Sequence, residues 1–227
     1  MSHIHLPDGI LPTWLWLSGY LITAALITGL WRFGQATAEP RKFALLGIFT
    51  AITVLVMMIE IPPLGYHFNL SIVTGIILGP RLSVLAALMA NMILALIGHG
   101  GITVIGLNTL VLSVEMIFGY YVFRYLSALK VKASKSVFAA TIIGLGMGTA
   151  FGFGIIVLGA SGIDRLLQSA SSGEDFGAGI EGPHLNLTRL AVIMFGLGGV
   201  GWVLEGLLSS AVLVYLDRVY PGLIGRD

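Results

Sequence analysis

The chain has 227 residues, of which 56% are hydrophobic and only 10% charged, with a mean hydropathy of +0.96. That balance excludes a water-facing globule of this size. The net charge of +1, from 12 Lys and Arg against 11 Asp and Glu with no basic face, excludes the electrostatic footprint of a nucleic-acid binder. The absence of cysteine excludes disulfides and thiolate metal sites, leaving imidazole, carboxylate, amide and backbone nitrogen as ligands.

Met1 to Pro12 carry no Lys or Arg, so the cationic start of a cleaved secretory signal is missing and the N-terminus is expected to be retained. A hydrocarbon core of about 30 Å takes roughly 20 helical residues to cross. Apolar runs of that order extend from Thr13 to Trp31, Phe43 to Ile61, Ser83 to Ile97, Gly106 to Phe123, Val137 to Ala160 and Leu190 to Leu216. Between the second and third, Leu70 to Gly79 is apolar but short and stops at Pro80, which predicts a short or re-entrant helix buried among protein neighbours. The fold expected is an all-α integral membrane protein, a single bundle of about seven transmembrane helices over residues 1–227, one of them short. Residues 1–12 form an external N-terminal segment, and the Gly- and Ser-rich, acidic stretch within 161–188 reads as an external loop.

Cytoplasmic loops hold an excess of Lys and Arg. With the N-terminus outside and the short segment counted as a crossing, the inner side receives Arg32, Arg41, Lys42, Arg81, Arg124, Lys130, Lys132, Lys135, Arg218 and Arg226, and only Arg165 and Arg189 stay outside. The expectation is therefore an external N-terminus and a cytoplasmic C-terminus in the cell membrane. This topology also puts all five histidines, His3, His5, His67, His99 and His184, on the external side. Imidazole is a common ligand for divalent transition metals, so such a face suits capture of a metal from outside.

Three segments offer ligands. In Met1-Ser-His3-Ile-His5 a terminal amine, backbone amides and imidazoles lie close enough to chelate one ion in a plane, a geometry that suits Ni(II) or Cu(II). Gly65-Tyr-His67-Phe-Asn69 precedes the short apolar segment, and in extended backbone His67 and Asn69 share a side. Gly98-His-Gly-Gly101 puts His99 in a turn between two spans. Glycines in Gly144-Leu-Gly-Met-Gly148, Gly152-Phe-Gly154 and Gly196-Leu-Gly-Gly-Val-Gly201 let helices approach closely, for internal packing or for a partner subunit.

Glu115 and Glu205 fall inside apolar spans, where a carboxyl group needs a partner and so is expected to face other helices. Glu60, at the outer end of its span, lies near His67 in sequence. There is no Gly-x-x-x-x-Gly-Lys-Ser/Thr loop, no His-Glu-x-x-His and no Gly-x-Ser-x-Gly, so ATP hydrolysis of that type and the common hydrolase chemistries are not expected of this chain.

Ordered motifs carry a resemblance. His5-Leu-Pro-Asp8-Gly9, Gly65 to Leu70 followed by Ile76-Ile-Leu-Gly-Pro80, and Gly98-His-Gly-Gly-Ile-Thr103-Val-Ile-Gly106-Leu-Asn108 together resemble the CbiM/NikM type of substrate-specific component of energy-coupling-factor transporters for cobalt and nickel. The resemblance implies a metal-binding import subunit with no ATPase or resident cofactor of its own, carrying Ni(II) or Co(II) as cargo. It also implies as partners a transmembrane coupling subunit, a pair of ABC-type ATPases and, in some systems, a further small membrane subunit. In that family the terminal amine, the amide and imidazole of the histidine after Met, and an imidazole from a His-Leu element hold the ion. Here alignment on Pro-Asp-Gly makes His5 the first histidine, with Met1-Ser2-His3 added before it, and the second becomes Asn69. His3 offers a shifted chelate and His67 a substitute imidazole, so the ligands expected are His3, His5 and His67 first, then Asn69, Ser2, Met1 and His99. The competing class is an intramembrane enzyme or structural membrane protein built on Glu115 and Glu205.

Overall fold

A computed structural model describes residues 6, 8, 9, 11–32, 40–61, 66–171 and 187–224, with the backbone alone for 40, 60, 61, 66 and 161–171. Among the described residues six helices carry the fold: α1 (Thr13–Arg32), α2 (Pro40–Met58), α3 (Ser71–Leu96), α4 (Ile105–Ala128), α5 (Ala133–Ser171) and α6 (Leu187–Val219). Each is long and apolar enough to cross a membrane, and a helix is the form in which an apolar run satisfies its own backbone polar groups without water. Among the described residues the remaining regular structure is a two-residue antiparallel ribbon, β1 (Glu60–Ile61) with β2 (Tyr66–His67), in which Glu60 sits opposite His67.

Two boundaries differ from the sequence expectation. Helix α5 continues to Ser171, into the stretch read as a loop from residue 161, because Ile163-Asp-Arg-Leu-Leu-Gln168 is built mostly of good helix formers. Among the described residues six helices are long and apolar enough to cross a membrane, and the short segment expected at Leu70–Gly79 is not a helix of its own: 71–78 is the first arm of α3.

That helix is broken at Gly79, whose φ of 76° and ψ of 170° lie outside the helical region and suit a residue without Cβ. Pro80 follows and supplies no N–H to the preceding turn. The break reverses the chain. A straight 26-residue helix would hold its ends about 39 Å apart, yet the rings of His67, just before α3, and His99, just after it, lie 5.5 Å apart. The two arms therefore form a helical hairpin with its bend at Gly79-Pro80. Every residue of the first arm, 71–78, is buried.

Side chains from several helices enclose the hairpin. Ile72, Ile76, Leu82 and Ala86 pack with Leu46 and Phe49 of α2, Phe123 of α4, Val137 of α5 and Leu213 of α6. Ala87, Ala90 and Leu94 of the second arm join Val54 and Met57 of α2 and Leu112 and Met116 of α4. Thr53 of α2 and Thr74 of the first arm share a hydrogen bond of 2.8 Å.

The small residues divide into two groups. A Cβ on Gly75 would stand 2.6 Å from the Met116 carbonyl oxygen, and one on Gly106 would stand 2.6 Å from the Tyr20 backbone nitrogen. Gly144 and Gly148 of α5 face Ile72 and Glu115, so they serve internal packing, whereas Gly196 and Gly199 of α6 meet nothing within 4 Å. Replacing Gly75 with Ala should lower the thermal midpoint in detergent, with an overpacking penalty of about 1–3 kcal/mol. Gly196→Ala should leave the midpoint unchanged or slightly raised, since helix propensity then acts alone.

Candidate metal centre

The hairpin begins inside the bundle. Glu115 lies ten residues (115 − 105) into α4, about 15 Å along its axis, and the Ser71 hydroxyl donates to its carboxylate at 3.2 Å. A helix that starts at this depth exposes N–H groups where no water competes for them. The Glu205 carboxylate and the Asn69 side chain meet that need, and Glu115 holds Asn69. Glu205 accepts from the Leu70 N–H at 2.8 Å and from the Asn69 N–H at 3.2 Å. Glu115 accepts from the Asn69 amide nitrogen at 3.2 Å, while the Asn69 amide oxygen takes the Ser71 N–H at 2.8 Å. Asn69, Ser71, Glu115 and Glu205 are all completely buried. Leu70 holds φ 50° and ψ 20°, a left-handed conformation that costs a non-glycine residue about 1–2 kcal/mol, and Glu205 bonds the backbone at that residue. Both carboxyl groups face other helices, as expected: Glu205 holds the Asn69–Leu70 backbone, and Glu115 holds the side chains of Asn69 and Ser71.

Above this knot the chain rises through Phe68 to His67, which is buried, with its ring at 79° to that of His99. Two imidazoles sharing one ion at metal–nitrogen distances of about 2.0–2.1 Å have ring centres roughly 4.5–6.4 Å apart. The observed 5.5 Å falls within that range. His67 ends β2 and His99 lies in the turn after α3, and they meet because the hairpin returns the chain to its starting end.

The segment before α1 is docked at the same end. The Leu6 N–H donates to the Asn108 amide oxygen at 2.9 Å, and the Asn108 amide nitrogen donates back to the Leu6 carbonyl at 3.1 Å. The Gly101 N–H also donates to that carbonyl. Leu6 is buried and packs with Leu11, Leu15, Val104 and Leu107. Asp8 then clamps the turn that follows His99, accepting from the Ile102 N–H at 2.9 Å, the Thr103 N–H at 2.8 Å and the Thr103 hydroxyl at 2.5 Å. Gly101 is required there, since a Cβ would stand 2.5 Å from the Asp8 carboxylate. The Thr103 hydroxyl, then the Thr103 N–H, hold the Asp8 carboxyl below its ordinary 3.8.

Of the ligands expected, His67, His99 and Asn69 thus lie in one region, with both ends of the Asn69 side chain engaged by Ser71 and Glu115. Met1, Ser2, His3, His5 and His184 lie outside the described residues, as does the Glu60 side chain. No group of three or more His, Asp or Glu side chains converges among the described residues. Sequence reasoning missed Asp8 and Asn108 as anchors. The available signals were an Asp in a Pro-Asp-Gly turn and an amide within the start of an apolar span, where a polar side chain needs a partner.

Because the folded-state pKa of Asp8 is depressed, its clamp is intact above the ordinary value of 3.8 and is lost as pH falls through the lower, folded value. The protection of the Thr103 N–H against hydrogen exchange, taken relative to the intrinsic rate at each pH, should hold from neutral pH to about 4 and fall at lower pH. Asn108→Ala removes the acceptor of the Leu6 N–H and one of the two donors to its carbonyl, at a cost of about 1–3 kcal/mol, and should speed exchange at Leu6.

Known proteins resemble this chain in sequence and in fold. The family described as the cobalt uptake substrate-specific transmembrane region, CbiM, matches residues 5–223. A provisionally named metal transport protein of Haemophilus influenzae is 25% identical over 98% of this chain and 98% of its own. A provisionally named fused nickel transport protein of Lactiplantibacillus plantarum, LarMN, is 29% identical over 96% of this chain and 66% of its own. The crystal structure of a truncated transition metal transporter superposes with a TM-score of 0.77 at 20% identity, over 95% of this chain and 99% of that one, and so shares the fold. A bundle of six long apolar helices, matched to that profile over nearly its whole length, belongs to the CbiM family of membrane metal transport proteins.

Proposed function

We propose that this chain is the substrate-binding membrane subunit of an ATP-driven energy-coupling-factor importer of a divalent transition metal, Ni(II) or Co(II). The observation that carries the reading is the pair of imidazoles, His67 and His99, 5.5 Å apart beside the docked N-terminal segment. Two imidazoles leave an ion short of ligands. Leu6, the residue pinned by Asn108, follows His5 directly in sequence, which supports a part for the nitrogen-rich start, Met1, Ser2, His3 and His5, in the same site. In this reading His67 and His99 supply imidazoles, the N-terminal residues complete a planar nitrogen set, and Asn69 stands behind as a support for His67. Cobalt is supported by the family's description and nickel by the fused relative's name.

The chain has no nucleotide-binding loop, so energy comes from partners, a transmembrane coupling subunit and paired ABC-type ATPases. Metal is captured on the histidine side, the subunit moves against its coupling partner, and the ion leaves on the other. Counting both arms of the α3 hairpin gives seven crossings, with the first arm a partial one. The cations Arg32, Arg41, Lys42, Arg81, Arg124, Lys130, Lys132, Lys135 and Arg218 then gather at the end away from the histidines, which makes that end cytoplasmic and the N-terminus external.

In metal titrations of the purified native-terminus protein, His67→Ala, His99→Ala and His3→Ala should each weaken Ni(II) and Co(II) binding by more than the roughly 10–100-fold that outer-shell changes cost. An N-terminal extension should do the same. Wild-type affinity in all of these would overturn the site. For topology, alkaline phosphatase fused after Asp227 should be inactive and a fluorescent protein fused there should glow; an active phosphatase would overturn the orientation.

A further inference from the structure

We propose that Glu115 and Glu205 are positioning residues of the metal site, setting where His67 stands relative to His99 through the Asn69–Ser71 segment that both of them hold. The inference rests on the reading of His67 as a ligand.

His67 is two residues from Asn69, and Asn69, Leu70 and Ser71 are all held by the two carboxylates. Glu205 takes the Leu70 and Asn69 N–H groups at 2.8 and 3.2 Å. Glu115 takes the Asn69 amide and the Ser71 hydroxyl, both at 3.2 Å. Two residues of chain reach about 7 Å at most, so a shift of this knot is passed to the His67 ring nearly undiminished. His99 hangs from the other arm of the hairpin and from the Asp8-clamped turn. The distance between the two imidazoles is consequently set by how α4 and α6 hold the first arm against the second.

Geometry around the knot supports a dedicated arrangement rather than two incidental polar contacts. The carboxylates come from different helices, converge on three consecutive residues and are completely buried. Room for Glu115 exists because residue 148 of α5 is glycine; a Cβ there would stand 2.5 Å from the Glu115 carboxylate oxygen. Leu70 is kept left-handed at φ 50° at the point where Glu205 grips it. Helix α6 packs mostly against α5 rather than α3, so Glu205 is a polar tie from that pair to the ligand-bearing loop. Movement of α6 would draw on the Asn69–Leu70 backbone and so on His67.

The test uses the full chain in detergent: wild type, Glu205→Gln, Glu115→Gln, Ser71→Ala and His67→Ala. Each is titrated with Ni(II) and Co(II), its Co(II) visible spectrum is recorded, and its metal-free thermal midpoint is measured. The Gln variants should bind about 10–100-fold more weakly, as outer-shell changes do, with altered Co(II) bands, while remaining folded without metal. Ser71→Ala, which deletes one hydroxyl and is expected to fold whatever the Gln variants do, should show the same spectral change in weaker form. Wild-type affinity and spectrum in every folded variant, or a lowered midpoint with an unmoved spectrum, would overturn the inference. If His67→Ala instead binds as wild type does, the assignment of His67 fails and the inference fails with it. Normal Glu and Ser variants beside a defective His67→Ala would sink the positioning role alone.

Discussion

Most of this structure depends on one arrangement: a helix that begins in the middle of the bundle, with the N–H groups of its approach taken by the carboxylate of Glu205, the Ser71 N–H taken by the Asn69 amide oxygen, and the Asn69 side chain held in turn by Glu115. Neither partner is stable there alone. An unsatisfied amide in an apolar interior costs several kcal/mol, on the order of 2–7, and a lone carboxyl group at membrane depth is costly too. Brought together, the partial positive end of the α3 dipole and the acceptor oxygens satisfy each other. The start of α3 can then sit at depth, its first arm can be wholly buried, and Gly79-Pro80 can turn the second arm back toward the end from which the chain came.

That return has a chemical consequence. A helix running straight on from Ser71 would carry His99 far from His67, whereas the hairpin sets their rings 5.5 Å apart. The N-terminal segment is brought in by a second set of polar ties, the paired amide bonds of Asn108 with Leu6 and the clamp of Asp8 on Ile102 and Thr103. These differ in kind from the knot at depth. Asn108 reads both polar groups of one residue, as a neighbouring strand would, and is shielded from water. Asp8 is exposed and relies on three donors converging on one carboxylate.

Close approach of helices is what allows polar groups to be so deeply placed. Glycines at 75, 106, 144 and 148 stand where a methyl group would strike a neighbouring backbone or side chain. Lipid gives helices no hydrophobic reason to associate, so contact of this intimacy, with hydrogen bonds inside it, holds the bundle together. The open faces at Gly196 and Gly199 show that small residues in one helix can have no such neighbour.

From the sequence by itself the class, the helices and the family resemblance were legible, because they depend on local quantities. The apolar runs starting at Thr13 and Gly106 are long enough for a membrane whatever surrounds them, and Leu70–Gly79 is visibly too short, with a proline at its end. Glu115 and Glu205 were legible as buried because hydrocarbon admits a carboxyl group only with a partner. Their partners were not legible: Glu205 bonds residues more than 130 positions away, and nothing in its own span points to Asn69 or Leu70. Likewise α5 outran its apolar pattern, since helix propensity carries a chain past the stretch that crosses the membrane. The meeting of His67 with His99 and the docking of Leu6 and Asp8 were decided by the tertiary structure, because a hairpin's direction and a loop's landing place depend on which distant helices offer hydrogen-bond acceptors and room.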